Sequence, residues 1–286
     1  MTYVGPVGTA PTGPAIIRTG FRRGSVFAAA GVLAALNAEA GQIITTLTFQ
    51  SPLEAVTLLA GVSAVIWAAM AAAWMIGSES RRQFGGTADA VALGAIILLS
   101  FLPLSFAGQA ALLLCGVYLL MTSPPRDAGR RTAVVLLALT GPLIWGRILL
   151  NLFAGPILAF DAHIVARIIG TQVDGNVFQA ANAGQRFVIG DLCSSVHNIS
   201  LATVLWTTAA MLFNIRIDRR YVGIGIAMAL FMFVLNIARL ATIGLFPAHF
   251  TYLHFGTGAA LFGWAGLIGA AFLAGMGVVH AAERQR

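Results

Sequence analysis

Long apolar runs, separated by loops whose basic residues are all arginine, constrain this chain more than any single motif. A membrane-crossing helix needs roughly 20 consecutive, mostly apolar residues. Runs of that kind cover residues 26–48, 53–76, 88–103, 107–122, 132–154, 193–214, 221–246 and 256–281. The third and fourth form one apolar block broken by Pro103 and Gly108, which reads as a hairpin of short helices. The expected fold class is therefore all-α: a polytopic transmembrane helical bundle of about eight spans. Residues 25–286 are expected to form one membrane domain, and residues 1–24, rich in Gly, Pro and Thr, a disordered N-terminal tail.

Composition sharpens this reading. The chain is 58% hydrophobic and 9% charged, whereas a soluble domain carries about a quarter charged residues. No large extramembrane domain fits between the runs. All 17 basic residues are Arg, and the net charge is +7. Nucleic acid is not the expected partner, because these arginines stand in short loops beside apolar runs. Positive-inside topology accounts for them. Arg18, Arg22 and Arg23 precede the first run; Arg81 and Arg82, then Arg126, Arg130 and Arg131, then Arg216, Arg219 and Arg220 occupy every second loop. Arg284 and Arg286 follow the last run. Both termini are thus expected in the cytoplasm of a cell bounded by this inner membrane, with residues 155–192 as an extracytoplasmic loop subdomain between spans five and six. Phe21-Arg22-Arg23 before an apolar stretch ending at Ala38-Glu39-Ala40 also fits a signal peptide, although apolar character resumes after Gly41 and argues against cleavage.

The large loop has internal pattern. Ile157–Ile169 is helical in periodicity, with Asp161, His163 and Arg167 among apolar residues, and is expected to lie along the interface. Two short β-prone runs follow, one split by Asp174-Gly175, the two separated by Asn182-Ala183-Gly184. They read either as a small hairpin over the outer mouth or as an irregular connector.

The chemistry gathers at one depth. Cys193 opens span six, Arg239 lies about six residues below the outer end of span seven, and His254 immediately precedes span eight. A long Arg can lift its head toward the surface, so thiol, guanidinium and imidazole can meet just beneath it. A cation beside a thiol depresses its pKa, whereas burial raises it, and the N-terminus of span six is expected to add its own dipole and N–H groups. His254 is expected to hold the sulfur proton and Arg239 to steady a thiolate or oxyanion. Asn236, three residues before Arg239, shares its face and is expected to orient the guanidinium. An Arg within a span costs about 2.5–3.5 kcal/mol on insertion scales. Arg147 therefore needs a partner too, either Glu39 or a substrate. His197, one turn after Cys193, is a rival base. A zinc set of Cys193, His197, His249 and His254 lacks compact paired spacing, so no metal is expected. No P-loop is present and no cofactor is expected. Cys115, mid-span, reads as a small packing residue, and two cysteines exclude a disulfide framework.

At these residues the second half of the chain resembles the exosortase/archaeosortase family of polytopic membrane cysteine transpeptidases. The resemblance rests on Cys193-Ser194 opening a span, Asn236-Ile-Ala-Arg239 in the next, and Leu253-His254-Phe-Gly256, with Val188-Ile-Gly-Asp-Leu leading to the Cys. The family commonly has Cys-Ser-Gly, where this chain has Ser195. The resemblance implies Cys193 as an acyl-thioester nucleophile with Arg239 and His254 as catalytic partners. It implies, as partner, the C-terminal sorting signal of an exported, membrane-anchored protein, cut on the outer face and passed to an unknown acceptor nucleophile. Two other classes remain open on the residues alone. One is a non-catalytic transporter or assembly scaffold with a polar pathway of Glu39, Arg147 and Arg239. The other is a serine-type intramembrane protease using Ser194 or Ser195.

Overall fold

The computed structural model describes residues 21–57, 59–182, 184–254 and 256–285. The expected disordered tail lies almost wholly outside these residues, as do Arg18 and Arg286 of the charge pattern. The first helix, α1 (Arg23–Ala38), already begins within the tail's expected limit.

The run over 26–48 is broken rather than straight. It divides at Glu39 into α1 and α2 (Ala40–Phe49), bent by 57°. Thr45, Thr46 and Thr48 turn their hydroxyls back to the carbonyls four residues earlier, a pattern that bends helices. The second run is also interrupted: α3 (Pro52–Thr57) is followed by a 3₁₀ turn, Leu59–Gly61, before α4 (Ala64–Ser78). Leu59 and Ala60 adopt positive φ of 52° and 57°, a strained region for residues with a Cβ. The indole of Trp67 donates to the Leu59 carbonyl at 3.0 Å and helps hold the turn.

Next come α5 (Thr87–Phe101) and α6 (Ser105–Thr122), joined across Pro103. α7 (Ala128–Thr140) passes through a π-helical turn at Gly141–Trp145 into α8 (Gly146–Ile169). This unit is 42 residues long, roughly 63 Å if straight, twice what a hydrocarbon core of about 30 Å requires. It is not straight. Pro156 cannot donate to the Leu152 carbonyl, and Phe153 departs to φ −131° and ψ 23°. Residues 157–169, expected as a separate interfacial stretch, instead continue α8 past that distortion.

A three-stranded antiparallel sheet follows, made of β1 (Val173–Asp174), β2 (Val177–Gln179) and β3 (Arg186–Val188). The chain then enters α9 (Ser195–Leu212), α10 (Arg219–Leu245), the short α11 (Phe250–His254) and α12 (Thr257–Gln285). The sheet sits on the end of α10: the Ala181 amide donates to the Gly244 carbonyl at 3.0 Å. A Cβ on Gly244 would come within 2.9 Å of the Phe178 ring, so only glycine permits this approach.

The protein is all-α in architecture and transmembrane in character. Four helical units are long and apolar enough to cross a membrane, namely α6, α7–α8, α10 and α12, or five with the bent α1–α2 pair. That is fewer than the expected eight or so. α4 and α5 have 15 residues each, and α9 carries His197, Asn198, Ser200, Thr203, Thr207 and Thr208, which lower its apolarity. Large apolar side chains such as Leu98, Leu152 and Phe272 point outward and exposed, as lipid contact demands.

Helix α1 packs against α4, α5, α6 and α7 around Phe27, Leu112, Leu136 and Leu139. α9 lies against α4 and α7 and ties this group to α10 and α12. Arg23, counted in the sequence among loop charges, is 2% exposed. Its Nε contacts both Asp89 carboxylate oxygens at 2.9 Å, its fork reaches Ser123 and Thr122, and Tyr118 donates to Asp89 at 2.7 Å. The rings of Phe27 and Tyr118 flank the guanidinium at 5.3 and 5.4 Å. Removing one member of such a pair strands the other charge. Asp89→Ala is expected to destabilise the detergent-solubilised protein by about 3–5 kcal/mol, measured by denaturant unfolding; a loss well under about 1 kcal/mol would show that the pair contributes little.

Candidate active site

Cys193 ends a 3₁₀ turn, Asp191–Cys193, whose last amide donates to the Gly190 carbonyl at 2.9 Å. Ser194 is the N-cap of α9: it is extended, at φ −68° and ψ 144°, and its hydroxyl accepts from the Val196 amide. The sulfur therefore stands just outside the helix, whereas the sequence placed it as the first residue of the span. The first amides of α9 are not available to it. The Ser195 amide donates to Asp161 Oδ2 at 3.0 Å, and the Val196 amide is taken by Ser194 Oγ at 3.2 Å.

Asp161 is the site residue that sequence reasoning missed. The sequence places it on an interfacial helical stretch of the large loop, yet it is 1% exposed on α8 and accepts both the amide and the hydroxyl of Ser195, each at 3.0 Å. The signal was present: an acidic residue on the apolar side of an otherwise hydrophobic helix requires a donor. Asn236 on α10 completes the clamp. Its Nδ2 donates to the Cys193 carbonyl at 2.8 Å and to Ser195 Oγ at 3.3 Å, while its Oδ1 accepts from Asn198 at 3.0 Å. Asn236 thus holds the cysteine's backbone, where the sequence had assigned it to the Arg239 guanidinium. Ser195, at the position where the resembled family has Gly, is the hydroxyl that joins Asp161 to Asn236.

His254 closes α11 and faces the thiol, with its ring nitrogens 3.9 and 4.0 Å from Cys193 Sγ. These are long contacts, of the kind that tighten when substrate fills a site. The imidazole is stacked on Phe250 at 4.9 Å, and Phe250 on Phe187 of β3 at 5.2 Å. Phe187 in turn meets Phe178 of β2 at 5.7 Å. The small sheet therefore buttresses the histidine through a ladder of rings.

Arg239 lies close enough to affect both partners. Burial pushes the Cys193 thiol up from its ordinary 9.0, and Arg239 pulls against this without overcoming it. Of the two opposing influences that the sequence sets at this thiol, burial is the larger. Burial lowers His254, and the nearby Arg239 lowers it further. Both shifts favour the uncharged forms, a thiol beside a neutral imidazole. Arg239 Nε is buried with no hydrogen-bond partner among the described residues.

None of the remaining candidates hydrogen-bonds the sulfur among the described residues. His197 lines a separate polar cavity with Arg147 and Glu39 and lies within electrostatic reach of both Arg147 and Arg239. Arg147 and Glu39 share that cavity but form no ion pair; those among the described residues are Arg23–Asp89, Arg131–Glu79 and Arg284–Asp218. Ser194 and Ser195 are both buried within the capping network. No cluster of three or more His, Cys, Asp or Glu suited to a metal occurs among the described residues. A second cavity of about 300 Å³ opens between α9, α10 and α12, with Arg239 and Asn236 beside apolar walls that include Leu201, Met232 and Trp264.

Alkylation of Cys193 should rise with pH to a midpoint above 9.0, and Arg239→Gln should move that midpoint higher by removing the opposing charge. Rate measurements with a neutral iodoacetamide, with Cys115 replaced by Ala, test this; a midpoint near neutrality would contradict the burial argument. No protein-family model, curated protein or solved structure matches this chain.

Proposed function

We propose that this protein is a membrane-embedded cysteine protease/transpeptidase, of the exosortase/archaeosortase type, that cleaves C-terminal sorting signals of exported, membrane-anchored proteins. The observation that carries the reading is the approach of Cys193 Sγ to the His254 ring at 3.9 Å, with Arg239 in electrostatic contact with both. In the first half-reaction His254 takes the thiol proton as sulfur attacks the scissile carbonyl. Arg239 stabilises the oxyanion, since it stays charged and cannot act as the base. The C–N bond breaks, His254 returns its proton to the leaving amine, and an acyl-thioester remains on Cys193. An acceptor nucleophile then releases it.

The topology belongs to the same proposal. With α4, α5 and α9 counted as crossings, about eight spans place both termini in the cytoplasm and the cysteine turn on the outer side of an inner membrane. There an anchored substrate emerges beside it, and the cavity next to Arg239 offers apolar walls to its membrane segment.

The favoured test is to co-express a tagged, C-terminally anchored substrate and trap the adduct. Wild type should yield a hydroxylamine-sensitive thioester at Cys193, while Cys193→Ala should remain in the membrane and process nothing. Undiminished processing by that variant ends the catalytic reading. Asn236→Ala should slow acylation by about a hundredfold by releasing the Cys193 carbonyl, the effect of roughly 1 Å of misplacement. A second reading, a non-catalytic transporter or assembly scaffold, draws on Glu39 and Arg147 in their shared cavity. It requires tolerance of Cys193 loss and failure when Glu39 or Arg147 is neutralised.

A further inference from the structure

The face of α9 opposite the apolar cavity borders a second one, of about 450 Å³. Val196, His197 and Ser200 line the polar cavity, whereas Asn198, Leu201 and Ala202 line the apolar one. On a helix these two sets fall on opposite sides. One helix thus separates two chambers, and Cys193 sits just beyond its outer end.

The polar chamber collects charge from distant parts of the chain. Glu39 arrives from the break between α1 and α2, Arg147 from the first turn of α8, and Asp191 from the turn that carries Cys193. Glu39 and Arg147 interact across it but form no ion pair. Contrast Arg23 and Asp89, which are in direct contact at the other charged site of the bundle. Glu39 is half-buried and Arg147 exposed, so these charges stand open to the cavity rather than closed on each other. These two are held apart around a volume within the range of small-molecule sites, and Gln42 and Asn151 add neutral polar groups to its wall.

We propose that this chamber binds the acceptor as a small zwitterion carrying one primary amine and one anionic group. Its ammonium faces Glu39 and Asp191, and its anion meets Arg147. With two carboxylates against one guanidinium, a purely anionic ligand meets net repulsion, and a purely cationic one leaves Arg147 without a partner. Binding follows from the chamber alone; what the bound amine does rests on the cysteine-transpeptidase reading. The ammonium gives up a proton to solvent, and the free amine attacks the thioester carbonyl. The C–N bond forms and the C–S bond breaks. The proton shed by the new amide nitrogen passes through His254 to the departing thiolate, restoring the thiol. No redox partner is needed.

The test uses full-length Cys193→Ala protein in nanodiscs of phosphatidylglycerol, a lipid without an amine, so that no acylation can occur. Glycine and phosphoethanolamine are titrated calorimetrically, with ethanolamine and inorganic phosphate as single-charge controls. Saturable binding of at least one zwitterion and of neither control is expected. Binding should weaken about tenfold or more in Glu39→Gln and in Arg147→Gln, with recovery in Arg147→Lys. Glycine alone binding assigns a soluble amino acid or peptide amine; phosphoethanolamine alone assigns a lipid headgroup. Should either charge variant unfold, Asn151→Leu narrows the chamber without touching a charge and must also weaken binding. Absence of binding by both zwitterions, or binding indifferent to these substitutions, overturns the site. In wild type, a bound zwitterion that fails to speed loss of a trapped thioester overturns the acceptor role. Failure to trap any thioester defeats the catalytic reading instead and leaves the binding result standing.

Discussion

The hydrogen-bonded junction of Asp161, Ser195, Asn236 and the Cys193 carbonyl is the interaction on which the site depends. It joins α8, α9 and α10 at one point. Every member is buried or half-buried, and in such surroundings a polar group without a partner costs far more than a made hydrogen bond returns. The network is therefore close to all-or-none: loss of one member strands the others. That cooperativity fixes the backbone at Cys193 while leaving the sulfur itself only loosely engaged with His254.

Burial has opposite consequences at different places in this molecule. At Arg23 and Asp89 it is answered by direct ion pairing, three hydroxyl partners and two aromatic faces, so the charges are fully satisfied and hold α1, α5 and α6 together. At Arg239 one nitrogen stays unpartnered among the described residues, while half-buried Glu39 and exposed Arg147 form no ion pair. Polar groups that a bilayer tolerates at such cost mark sites of function when they stay open. The neutral thiol–imidazole pair follows the same logic: a low dielectric disfavours charge on either.

The small sheet shows how a loop acquires a structural task. Its strands are too short to form a core, but Phe178, Phe187 and Phe250 carry contacts from the sheet to the His254 ring. The close approach at Gly244 anchors it to the end of α10, the helix that supplies both Asn236 and Arg239. The imidazole, the guanidinium and the cysteine turn thus share one support.

The sequence by itself determined that the chain is apolar, helical and built to lie in a membrane, because hydropathy and the cost of bare backbone polar groups act on every segment locally. It also pointed to Cys193, Arg239 and His254 as the reactive residue types, since polar groups beside apolar runs stand out. It did not determine which helices are broken: the distortion at Phe153 arises where Pro156 removes a backbone donor, whereas the bend at Glu39 carries no such local mark, and neighbouring packing decides how far each goes. Nor did it show that Arg23 finds Asp89, that Asp161 caps α9, or that Asn236 grips the cysteine's carbonyl instead of Arg239. Those pairings, and the balance by which burial outweighs Arg239 at the thiol, depend on distances between segments far apart in the chain. Such distances exist only once the helices have packed, because electrostatic and hydrogen-bond energies are set by ångström separations and local dielectric, neither of which a linear pattern encodes.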